Sequence, residues 1–160
     1  VVGEPAILGQ SVAMTNNDPP TDSHPELSVI LDRLTGVAAA PTTDQPGWVA
    51  EVQAAAREAV DALQAHTVTS EAEGGILPEM TGRKPSLMAS RARLEHEHTD
   101  MLHRAEEIEI EAERQLAFED YNVELLRLQV GILRDILHLH LLRTDALVFE
   151  AFFRDEGGGD

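Results

Sequence analysis

The chain contains no cysteine. That excludes a disulfide framework, an iron–sulfur cluster, a thiolate zinc site and a cysteine nucleophile. Aromatic residues are scarce, with one Trp, one Tyr and four Phe, too few for a stacking platform on nucleic acid. Basic residues are scarce as well: 12 Lys and Arg stand against 29 Asp and Glu, for a formal net charge of −17. Such a surface repels phosphate, so neither nucleic acid nor an anionic membrane is an expected partner. No apolar run approaches the roughly 18–20 residues of a membrane-spanning helix. No basic segment followed by an apolar stretch marks a leader, and a cytoplasmic location is expected. Period-2 alternation, hairpin dipeptides, a glycine-rich phosphate loop and a nucleophile elbow are also missing. Against these absences stand seven His.

Length and patterning predict one all-α domain, an antiparallel up-down four-helix bundle with a short first helix. Residue 1 is Val, and Met14 is a candidate native start. Residues 1–23 are expected to be a flexible segment and 155–160 a disordered tail, leaving 24–154 for the bundle. In the first helix, Ser23 and Pro25 mark the start and Leu27, Ile30, Leu31 and Leu34 form the stripe, with Gly36 as the stop. The second helix is expected from Trp48 to Glu73, with Val49, Val52, Ala56, Ala59 and Leu63 on its apolar face, ended by Gly74 and Gly75. Residues 76–85, with Pro78, Gly82 and Pro85, are predicted to be a connector. The third helix is expected from Ser86 to Leu116 and the fourth from Glu119 to Phe153.

The histidines divide between two environments. His66 continues the stripe of the second helix, His98 lies among Leu87, Leu94, Met101 and Ala105, and His140 among Val130, Leu133, Leu137 and Leu147. Each long helix thus directs one imidazole toward the bundle axis. In an antiparallel arrangement the three fall roughly 12–20 Å from the same end. His24, at the start of the first helix, shares the spacing of Leu27, Leu31 and Leu34. His96, His103 and His138 fall on polar faces and are expected in solvent. One histidine on an apolar stripe is ordinarily a hydrogen-bonded core residue. Three at one level leave several buried donors and acceptors to satisfy.

Carboxylates accompany them: Glu71 five residues after His66, Glu97 beside His98, Asp145 five after His140 and Glu150 ten after. Imidazole and carboxylate around an apolar axis suit non-haem iron or manganese, and less often zinc. The candidate ligands are His66, Glu71, His98, His140 and Asp145, with His24, Glu97 and Glu150 as further candidates.

This constellation resembles the hemerythrin-like, or HHE cation-binding, family. Its members carry His-x-x-x-Glu on the second bundle helix and His-x-x-x-x-Asp on the fourth. His140-Leu-Leu-Arg-Thr-Asp145 has the fourth-helix spacing, whereas His66-Thr-Val-Thr-Ser-Glu71 is one residue longer and puts Ser70 at the family's Glu position. On the third helix the family often has His-x-x-x-His, and this chain departs there too, with Leu102 and His103 at four and five residues after His98. His24-Pro25-Glu26-Leu27 resembles the family's opening, and Glu71-Ala-Glu73-Gly-Gly and the segment from Leu147 to Gly158 look like uncharacterised bacterial relatives of it. The resemblance implies bound non-haem iron, two ions, with oxygen, nitric oxide or peroxide as the small molecule bound, sensed or detoxified.

Two other readings stay open. One is a metal-free helical interaction module that docks on a partner protein or forms a homodimer, with Phe149, Phe152 and Phe153 as the contact. The other is a ferritin-like diiron oxidase, built on Glu95-x-x-His98 and an Asp135-x-x-His138 counterpart.

Overall fold

The computed structural model of the protein describes residues 24–154; the expectations for 1–23 and 155–160 lie outside them. In chain order the elements are α1 (Pro25–Ala39), α2 (Gln45–Glu71), α3 (Ile76–Arg83), a single 3-10 turn (Pro85–Leu87), α4 (Met88–Phe118) and α5 (Val123–Phe152). Among the described residues there is no strand. Helices α1, α2, α4 and α5 run alternately up and down and pack around one apolar core, as the four stripes predict.

Several ends differ from expectation for local reasons. Gly36 does not stop α1. The helix continues because Val37 is buried and its carbonyl accepts a 3.1 Å hydrogen bond from the Trp48 indole. It ends before Pro41, which forces Ala40 into extended backbone at ψ 147°. Helix α2 begins three residues early because Asp44 caps it, accepting from the Gly47 amide at 3.1 Å. A Cβ at Gly47 would crowd the Asp44 carboxylate, so a larger residue there would displace the cap. Helix α5 begins at Val123, not Glu119, because Glu119 turns left-handed (φ 52°) and Asn122 becomes the cap. Buried Gln115 fixes this corner, accepting from the Asn122 amide at 2.9 Å.

The larger correction is α3. The expected connector is a helix of 8 residues that puts Leu77 and Met80 against Leu94 and Val148. Pro78 is no obstacle, because it occupies the first turn, where the amide it lacks has no intrahelical partner. Lys84 then pairs with Glu150 of α5 at 3.0 Å. Helix α3 therefore closes one end of the bundle, the end where α1 and α4 begin and α2 and α5 finish. At the other end Arg127 of α5 donates to the carbonyls of Ala38 and Ala40 at 3.0 and 3.1 Å.

Candidate metal centre

Each bundle helix contributes one imidazole to a single layer. His24 stands at the N-cap position of α1, His66 lies near the end of α2, His98 about a third of the way along α4 and His140 just past the middle of α5. All four are buried. Ring centroids are 4.5 Å apart for His24 and His66, 4.9 Å for His66 and His98, and 4.8 Å for His98 and His140. Helical periodicity builds the layer's surroundings. Leu27, Leu63, Met101 and Leu137, three residues from each histidine, form an apolar floor that belongs to the main core. On the far side lie Ser70, Leu94 and Thr144, four residues from theirs, with Leu77 and Met80 of α3 close by in the second apolar cluster.

The carboxylates approach from neighbouring helices. Glu71, the last residue of α2, places an oxygen 2.7 Å from His98 Nδ1 on α4. Glu97 of α4 stands 2.9 Å from His140 Nδ1 on α5, and its other oxygen accepts from Arg143. Glu26 of α1 lies 3.6 Å from His66 Nδ1 on α2. Each of these three histidines thus faces a carboxylate from the bundle helix before it in the chain. Ser70 donates to the His66 carbonyl and also sits 3.2 Å from His66 Nε2.

One ring nitrogen each of His66, His98 and His140 can be chosen so that all lie within 4.8 Å of one another. His140 Nε2 is buried with no hydrogen-bond partner, the state expected of a nitrogen reserved for a ligand. A second group, His24, Glu26 and His66, meets the same distance limit. Burial, and then the positive charge that His24, His98 and His140 would carry, pushes His66 down to about 3. Burial likewise takes His140 down to about 4, against the opposing pull of Glu97. Both are neutral at physiological pH, the form that binds metal.

A cavity of about 470 Å³ reaches His24 and His66 between the start of α1, the end of α2 and the start of α3. Glu26, Glu73 and Glu79 stand exposed along it, so the approach is acidic. A cleft of about 420 Å³ near Trp48 and Asp32 has no histidine in its walls.

The remaining candidates fall elsewhere. Asp145 is exposed, because its neighbour Thr144 takes the inward position and bonds the His140 carbonyl. Glu150 pairs with Lys84 and not with the layer. His96, His103 and His138 are exposed, as expected. The elements of the ferritin-like reading do not meet: Glu95 pairs with Arg91 at 2.7 Å, and Asp135 and His138 face outward. The sequence did not point to Glu26 and Arg143 as neighbours of the site. Their only signal was proximity to His24 and His140 along the chain.

Comparison of the chain with family models, with curated proteins and with solved structures finds no match.

Proposed function

We propose that this protein binds a transition-metal ion on His66, His98 and His140, and that it serves as a hemerythrin-like non-haem iron protein for oxygen, nitric oxide or peroxide. The observation that supports the reading is the convergence of three buried imidazoles from three helices, two of them with Nδ1 held by a carboxylate. A carboxylate on Nδ1 fixes ring and tautomer and leaves Nε2 for a metal. Glu71 and Glu97 thus serve this site as orienting groups, and their charge offsets that of a cation. Imidazole nitrogen suits iron, zinc, copper and nickel, while the shortage of directly placed carboxylate disfavours manganese. A second ion would draw on His24 and Glu26, with His66 as an imidazolate offering both ring nitrogens. Iron held on these residues would supply the binding of a small diatomic molecule or peroxide. The chain supplies the surrounding conditions: Leu27, Leu63, Met101 and Leu137 keep water from the inner side, and the cavity beside His24 admits small molecules.

Metal content tests the reading. Protein prepared without a chelating tag and reconstituted anaerobically with ferrous iron should retain one to two ions per chain. The triple variant His66→Gln, His98→Gln, His140→Gln should retain none while keeping its helical circular dichroism. Less than about a fifth of an ion per chain, for iron, manganese and zinc alike, would leave the layer as a hydrogen-bonded core network in a metal-free module.

A further inference from the structure

The outward face of α5 is unlike a solvated helix surface. Leu125, Leu128, Ile132, Leu139, Leu142 and Phe149 are all exposed. With Asp135 and Ala146 between them, their spacing alternates three and four along the whole helix. The row runs on to Phe153, whose ring stacks on Phe149 at 5.5 Å. The opposite face carries the buried row Leu126, Val130, Leu133 and Leu137. A helix apolar on two opposite faces is normally covered on both. Exposed large apolar residues on other helices, such as Val29, Val68 and Ile110, are scattered singly and need no partner. Phe152, by contrast, turns under Arg83, 4.4 Å from the guanidinium, and takes no part in the row.

We propose that this face pairs with the same face of a second copy of the chain, giving a two-fold symmetric homodimer. Alternating three-four spacing is the pattern by which two helices interlock knobs into holes, and a face that meets itself needs no separate complement. Charge opposes a second copy only weakly at this place. Helix α5 carries four acids and three arginines, in a chain with 29 acidic and 12 basic residues. Two copies therefore meet here with less repulsion than along the acid-rich α4. Asp135, the charged position in the row, is already paired with Arg134 at 2.9 Å. The row spans about 42 Å. At the observed exposures it offers on the order of 600 Å² of apolar side chain per copy, close to the roughly 800 Å² per partner of a stable interface once its polar edges are added.

Sedimentation equilibrium of the full chain at micromolar concentration should give twice the 17.5 kDa chain mass. The double variant Leu128→Glu, Leu142→Glu should sediment as a monomer with its helical signal intact, and Ile110→Glu should remain dimeric. Should the double variant lose helix, Leu139→Gln alone must weaken association at least tenfold. A monomeric wild type, a dimer indifferent to the α5 variants, or a dimer broken by Ile110→Glu would overturn the proposal. None of these outcomes depends on whether the histidine layer holds metal.

Discussion

Glu97 shows how much a single side chain decides in this molecule. It is neighbour to His98 in sequence, yet in space it belongs to His140, with Arg143 on its other oxygen. Removing its charge in Glu97→Gln leaves the imidazole buried and less firmly oriented. The expected result is a 10–100-fold loss of metal affinity with unchanged helix content, read by competition with a chromophoric chelator. Asp145→Asn, on the solvent side, should leave affinity unaltered; an equal loss there would mean that Asp145 reaches the ion. These pairings also mark what the sequence left illegible. Stripe positions identify the histidines that turn inward, because periodicity fixes direction. They do not tell which carboxylate leans across to another helix, because that depends on how neighbouring helices are offset. Glu71 was therefore legible as a companion of His66 and is in fact the partner of His98.

At the scale of elements, long amphipathic segments declared themselves and short or capped ones did not. The inward rows of α2, α4 and α5 each repeat over several turns, and the structure buries them. Helix α3 has room for only Leu77 and Met80 as an apolar pair, too little for a periodic signal, and its Pro and Gly read as loop. Yet those two side chains close the end of the bundle nearest the histidines. Leu77→Ala removes a fully buried side chain and should cost about 2–4 kcal/mol in denaturant unfolding. It should also speed metal loss to a chelator by loosening the cover of the layer. Unchanged exchange at that loss of stability would separate α3 from the site. The turn into α3 has its own constraint: Gly74 sits at φ +82°. Gly74→Ala should therefore destabilise by about 1 kcal/mol, despite the open space around it.

For the whole molecule, the histidine layer makes folding depend on acidity. In the unfolded chain His66 and His140 take up protons near their ordinary value of 6.5, whereas in the folded protein they do so only near about 3 and 4. Between these limits the unfolded state holds more protons, so metal-free stability is full above about pH 6.5 and declines as pH falls. Thermal melts of metal-free protein should show the midpoint dropping steeply from pH 7 to pH 4.5, with a flatter profile for His66→Gln. A midpoint indifferent to pH over this interval would mean that water hydrates the layer freely. The same layer gathers points scattered from position 24 to position 140 of the chain. An ion held by His66, His98 and His140 would fasten three helices together and close the long loops between them, as a disulfide does in a secreted protein. This fastening, in a chain without cysteine, would be indifferent to reductants, undone by chelators and remade by adding metal.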